Sequence, residues 1–268
     1  MKIPLKLELL LKRVVTRFLS DPGVILQQRV FQEFTRARAL NREFPVSFFL
    51  PKDYGKGLPE RVVEILLARL SYAAGLRVLD VGHANAMKCH LDMLLTLDQP
   101  RRIKGIDIVR PVYDPRPCYD ESVLGDATNM PFGDASFDLV WCVSAMEHFG
   151  MDNSNYASNF RREEVMDQRA LREMLRVLAV GGHLLLTVPY GRYETHGWLR
   201  NYDEVTWQAL LAIARSQGSV TEWYFRHTWG EGWRIVRAEE LEHVGYYDQA
   251  NSGSGGLAVA FVKREDFQ

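Results

Sequence analysis

The period of the apolar positions changes near residue 76. Before it, the spacing is helical. Ile3, Leu7, Leu10, Leu11, Val14 and Phe18 form one stripe, and Asp21-Pro22-Gly23 interrupts it. Leu26, Val30, Phe31 and Phe34 then place a helix within residues 24–42, and residues 44–57 read as a loop rich in Pro, Phe and Gly. A further helix opens at Leu58-Pro59-Glu60 and runs through Val63, Ile65, Leu66 and Leu70, with its proline in the first turn. After Leu76, short apolar runs alternate with helices. The runs predict strands over residues 77–81, 102–108, 122–124, 137–143 and 183–188, with helices over 86–97 and 163–180. Gly181-Gly182 reads as the end of the second of these helices, at positions suited to positive φ. A helix over 203–215, strands over 220–225 and 257–262, and a flexible connection over 251–256 complete the chain. Such alternation predicts an α/β fold, a parallel sheet covered on both faces. The chain divides into an N-terminal helical cap, 1–70, and a sheet domain, 71–268.

With 268 residues, 47% of them apolar, the chain has ample material for one large core. A net charge of −1 supplies no basic field, so nucleic acid is not an expected partner. Three scattered cysteines, Cys89, Cys118 and Cys142, argue against a disulfide framework and fit a reducing, cytoplasmic setting. No apolar run approaches the roughly 18 residues of a membrane span. The first stripe carries Lys2, Lys6, Lys12, Arg13 and Arg17 mostly off its apolar side. It reads as an amphipathic helix that lies against the inner face of a membrane, pairs with a second copy, or packs on its own domain.

Candidate chemistry collects at the predicted strand ends. Val78-Leu79-Asp80-Val81-Gly82-His83-Ala84-Asn85-Ala86 reads as strand, tight turn and helix start, as in nucleotide-binding βαβ units. Asp107 closes the next strand, where an acid accepts from both hydroxyls of a ribose. Asp126, in Leu124-Gly125-Asp126-Ala127, closes the third and suits an exocyclic amine. The fourth strand exits as Ser144-Ala145-Met146-Glu147-His148. Ligands of open α/β sheets bind outside the carboxyl ends of the strands, where these residues meet. Asp138 reads as structural, bonding nearby backbone. His83, Cys89 and His90 match no standard metal spacing, and no metal site is expected. A dinucleotide fingerprint asks for a small residue where Met87 stands, which argues against NAD(P).

Together, Gly125-Asp126-Ala127 with Pro131-Phe132, then Phe137-Asp138-Leu139-Val140 and Glu147-His148, resemble the class I S-adenosylmethionine-dependent methyltransferases. The stretches Arg176-Val177-Leu178, Gly181-Gly182 and Thr187-Val188-Pro189-Tyr190-Gly191 are similar to members found near glycan and cell-surface polysaccharide pathways. The resemblance covers residues 76–202 and implies a Rossmann-like, seven-stranded, mostly parallel sheet with an antiparallel last strand. It implies S-adenosylmethionine as cofactor, held by Asp80, Gly82, Ala84, Asp107, Ile108, Asp126, Ala127 and Ser144. The family's G-x-G-x-G loop is here Gly82, Ala84, Ala86. The implied reaction is methylation of a sugar or glycan-like hydroxyl, with His148, or else His196, as base. Glu147, Tyr190, Arg200 and Tyr202 are the expected substrate contacts, since aromatic rings stack on sugar faces and Arg meets hydroxyls or anions. A secondary-metabolite or amine acceptor is the alternative within the same chemistry. A non-catalytic scaffold or membrane-recruited partner is the alternative outside it.

Overall fold

In the computed structural model, which describes residues 22–41, 44–154, 163–248 and 253–266, the strand runs assemble into one eight-stranded sheet. The strands are β1 (Arg77–Val81), β2 (Arg102–Asp107), β3 (Glu121–Leu124), β4 (Phe137–Val143), β5 (Leu178–Pro189), β8 (Gly218–Thr228), β9 (Gly232–Val236) and β10 (Gly256–Arg264), in the spatial order β3-β2-β1-β4-β5-β10-β8-β9. The pairs from β3 across to β5 are parallel; β10 is antiparallel to both β5 and β8, and β8 to β9. Two short strands, β6 (Glu194–Thr195) and β7 (Arg200–Asn201), form a separate antiparallel pair.

Both faces of the sheet are covered, which explains the continuous apolar runs. Successive side chains point to opposite faces. Leu79, Val81, Val140 and Cys142 join the core under α4 (Met166–Val177) and α5 (Glu204–Arg215). Val78, Leu139 and Trp141 join the core under α1 (Pro22–Arg38), α2 (Arg61–Ser71) and α3 (Lys88–Leu95). Val30, Phe34, Val63, Leu66 and Leu67 belong to this second core, so the described helices before residue 72 pack directly on the sheet. The apolar stripe from Ile3 to Phe18 lies outside the described residues. Among the described residues, no helix is long and apolar enough to cross a membrane.

The structure departs from the sequence expectation in three places. The sheet has eight strands rather than seven, because β9 adds an antiparallel edge. Its anchor is Trp233, whose amide donates to Tyr54 O at 2.7 Å and whose indole donates to Leu58 O at 2.9 Å. The helix before β5 ends at Val177, and Gly181-Gly182 lies inside β5. There the register slips between the Phe137–Leu178 and Leu139–His183 pairs, and a bulge forms. Gly181 takes φ +79°, and a Cβ on Gly182 would stand 2.8 Å from Asp138 O. The proposed flexible connection is also partly anchored: Ser254 is buried, and its amide donates to Glu60 Oε2 at 3.1 Å. Asp138 is structural, as read from the sequence; it accepts from the amide, Nε and Nη2 of Arg77 and ties the starts of β1 and β4.

The bulge allows a paired test. Gly181→Ala has open space and meets only the backbone penalty of positive φ, about 1 kcal/mol. Gly182→Ala must displace backbone and should lose roughly 1–3 kcal/mol. Urea unfolding of the two variants measures the difference; equal losses would refute this account of the bulge.

Candidate functional site

At the carboxyl ends of β1, β2 and β4 the connections diverge, β1 having β2 on one side and β4 on the other. A crevice forms at such a switch point, and here it is a cavity of about 630 Å³. Asp80, Gly82, Asp107, Ile108, Asp126, Ala127, Ser144 and His148 all line it. Gly82 is required by space as well as conformation. Its φ is +85°, and a Cβ there would meet the Cβ of Ala145 at 2.4 Å.

Ala84 is fully buried and its amide donates to Asp107 Oδ2 at 2.8 Å. Neither Ala84 nor Ala86 has positive φ, so alanine is compatible with the loop that the family usually builds with glycine. Asp107 also accepts from the Val109 amide at 3.1 Å through Oδ1. Each of its oxygens therefore retains acceptor capacity for a ligand hydroxyl. Burial raises its pKa above the ordinary carboxylate value. Asp126 is exposed at the cavity edge, with Oδ1 accepting from the amide and hydroxyl of Thr128, both at 2.8 Å.

Beneath the loop lies a polar layer. Asp80 accepts from His90 Nε2 at 2.9 Å and from the Tyr119 hydroxyl at 2.7 Å. Burial pushes Asp80 up, but the charge and hydrogen bond of His90 outweigh it and hold the carboxyl below its usual value. His83 sits between the Tyr113 hydroxyl and the Ser122 hydroxyl, at 3.0 Å from each. Its ring occupies the space above Gly105, where a Cβ would come within 2.4 Å.

The other end of the cavity is aromatic and apolar, with Phe149, Met166 and Trp198 beside His148. The His148 ring stacks on Trp198, centroids 5.1 Å apart. Its Nδ1 lies 2.9 Å from Trp198 O. A carbonyl only accepts, so Nδ1 carries the hydrogen and Nε2 the lone pair. Burial lowers the His148 pKa, which keeps the ring neutral at pH 7. Glu147 Oε1 lies 3.8 Å from His148 Nε2. Arg61 and Ile65 of α2 close the cavity between the two ends.

The expected substrate contacts lie elsewhere. Glu147 is only 4% exposed and packed behind the cavity wall rather than lining it. Burial pushes its carboxyl up to about 8. Tyr190 is in the core, its hydroxyl donating to Glu204 Oε2 at 2.8 Å. Tyr202 is fully buried, and its hydroxyl donates to Asp167 Oδ2 at 2.9 Å. Arg200 pairs with the same Asp167 oxygen at 3.0 Å and donates to Phe149 O at 2.6 Å. These three residues hold the chain segment after β5; they do not line the cavity. His196 lies in the connection between β6 and β7, 3.2 Å from Glu194 Oε2 and against Tyr246 and Tyr247, and is also outside the cavity lining. Sequence reasoning missed Arg61, Ile65, Phe149, Met166 and Trp198. Trp198 stands between Tyr190 and Arg200, two of the expected substrate contacts; the two α2 residues had no local signal beyond helical spacing.

Residues 79–186 match the family model of a methyltransferase domain. The chain is 28% identical over 177 residues to the demethylmenaquinone methyltransferase of Paenarthrobacter aurescens, an alignment covering 63% of this chain and 60% of that protein. It is 30% identical over 139 residues to methyltransferase GfsG of Streptomyces halstedii, covering 47% of this chain and 42% of that one. The chain thus spans about 60% and 42% of the lengths of these relatives. Among solved structures, the 1,6-didemethyltoxoflavin N1-methyltransferase of Burkholderia thailandensis is 12% identical, with 99% of this chain and 92% of that chain covered and a TM-score of 0.47. The match across the β1–β5 segment supports a methyltransferase domain of the class I S-adenosylmethionine-dependent type there, with S-adenosylmethionine as its cofactor.

Proposed function

We propose that the protein transfers a methyl group from S-adenosylmethionine to an oxygen of a small, ring-bearing acceptor. The observation that carries this reading is one continuous cavity with Gly82, Asp107 and Asp126 at one end and His148 on Trp198 at the other. The residues fit the cofactor: Gly82 leaves room that a side chain would fill, and Asp107 keeps acceptor capacity for ribose hydroxyls. Asp126 supplies a further acceptor for an exocyclic amine. When bound, the cofactor supplies a methyl group already activated on a sulfonium. The protein's work is then to align the acceptor and remove its proton. Phe149, Met166 and Trp198 favour a flat or ring-bearing acceptor. That agrees with relatives named for demethylmenaquinone. A sugar or glycan-like acceptor is the second reading, supported by Trp198 as a stacking platform. His148, neutral and with its lone pair on Nε2, is the group we assign as base.

Asp107→Ala should weaken S-adenosylhomocysteine binding by about 1.5–3 kcal/mol, the scale of hydrogen bonds to a charged acceptor. Asp107→Asn should lose less, because it can still accept from the Ala84 amide. Calorimetry measures both, and unchanged affinity in folded Asp107→Ala protein removes the ribose assignment.

For His148→Ala, turnover should fall by about 10²–10⁴-fold while cofactor affinity stays within a few-fold. Since the His148 pKa is lowered from 6.5, the wild-type rate should be flat above that pH and decline only below it. Near-normal turnover in folded His148→Ala protein would remove the base assignment.

Glu147 carries a sign that stability can test. Its raised pKa means the native protein binds a proton that the unfolded chain has released between pH 4.5 and about 8. Glu60, pushed up to about 7 by burial, acts in the same direction. This part of the stability is full below pH 4.5 and is lost as pH rises through those values. Glu147→Gln should therefore match wild type near pH 5 and exceed it at pH 9 by roughly 1–3 kcal/mol. Chemical unfolding at the two pH values decides; a variant less stable at pH 9 would show that the carboxylate is needed there.

A further inference from the structure

One side chain of α2 reaches the ends of two central strands. Glu64 is 0% exposed. Its Oε1 accepts from the Ser144 hydroxyl at 2.5 Å and the Thr187 hydroxyl at 2.7 Å, while Oε2 accepts from Arg61 Nη1 at 2.8 Å. Thr187 Oγ1 in turn accepts from the Ser144 amide at 2.9 Å. Ser144 is thus held at both its amide and its hydroxyl, and it needs to be. Its φ is +43°, in the left-handed region that a residue with a Cβ avoids. Strain of this kind persists only where the surroundings over-determine it, and it concentrates at ligand sites. Ser144 and Arg61 both line the cavity, as does Gly82.

Resting on the cofactor reading above, the adenosine half of the ligand takes the Asp107 and Asp126 end. The amino-acid half is left to Gly82, Ser144 and Arg61. We propose that Glu64 is the positioning residue for that half: it fixes the strained Ser144 backbone and presents the Arg61 guanidinium to the ligand's carboxylate. A guanidinium is suited to this task because it offers several donors in one plane and is always charged. The Glu64 carboxylate, 2.8 Å from Arg61 Nη1, is the ion-pair partner that holds the guanidinium. A ligand-facing group held by buried hydrogen bonds loses little freedom on binding.

The test compares two ligands by calorimetry. S-adenosylhomocysteine carries the amino-acid half; 5′-methylthioadenosine carries the adenosine half and lacks the carboxylate. Glu64→Ala should lower affinity for S-adenosylhomocysteine at least 10-fold and leave 5′-methylthioadenosine within threefold. Glu64→Gln can donate to both hydroxyls and accept from Arg61, so it should restore most of the loss. Arg61→Met should show the same ligand selectivity as Glu64→Ala. If Glu64→Ala does not fold by circular dichroism, Arg61→Met and Thr187→Val carry the comparison. Equal loss of both ligands, or no loss of either, overturns the positioning role. A wild-type protein that binds neither ligand overturns the cofactor reading itself, and this inference with it. Wild-type binding with ligand-blind variants overturns this inference alone.

Discussion

The turn after β1 must pass in contact with the turn after β4, and only a residue without a side chain fits between them. A Cβ at Gly82 would lie 2.4 Å from Ala145. That close approach lets two parallel neighbours open a deep crevice at their carboxyl ends, and it fixes the level of everything around it. Ala84 comes down to Asp107, whose carboxylate ties the first turn to the end of β2. Ser144, next to Ala145, takes positive φ and is held there by Glu64 and Thr187. A larger residue at position 82 would part the turns and loosen both walls together.

The polar layer beneath the loop follows from the same constraint. A carboxylate buried one residue before the tight turn needs partners, since an unpaired charge in a low-dielectric interior is strongly disfavoured. Asp80 has two, His90 and Tyr119. His83 fills the gap over Gly105 and makes hydrogen bonds from both sides of its ring. His83 and His90, which in sequence invite a metal reading, are thus engaged in supporting the turn. The partners of His83, namely Tyr113 and Ser122, and the second partner of Asp80, Tyr119, all come from residues 113–122, so no local spacing marks them.

What was legible in the sequence is what short-range physics decides. Apolar periodicity placed β1, β2, β4 and β10 because strands buried on both faces need continuous apolar runs. Strand-end acids could be placed because the fold sends every parallel strand end to one side. The Gly181-Gly182 pair misled because glycine serves a helix end and a strand bulge equally well, and only the register between β4 and β5 decides between them. β9 was missed because its anchor, Trp233, bonds to residues of a loop some 175 positions earlier. The expected substrate contacts stand away from the cavity for a related reason. Tyr190, Arg200 and Tyr202 have the composition of a sugar site, but Asp167, which is buried, and Glu204 take up their polar groups. Composition identifies what a side chain is able to bind; packing decides which partner it meets.

The charges behind the cavity wall bear on the chemistry at its aromatic end. Glu60 and Glu147 are both raised by burial, to about 7 and about 8, so near neutral pH they are largely uncharged or balanced against Arg61. An ionised Glu147 3.8 Å from His148 would stabilise the imidazolium and strengthen it as a base. A protonated Glu147 leaves that ring under the opposing influence of Arg61, which lowers its pKa. Burial lowers the His148 pKa first and Arg61 adds to it, and the same Arg61 charge, paired to Glu64 at 2.8 Å, opposes the burial that raises Glu147. Arg61 and His148, which both line the cavity, are thus joined through Glu147, across α2 and the turn after β4. A substitution at Arg61 or Glu64 alters the charge facing His148 as well as the polar wall of the cavity, so the two effects are separated by ligands and pH rather than by rate alone.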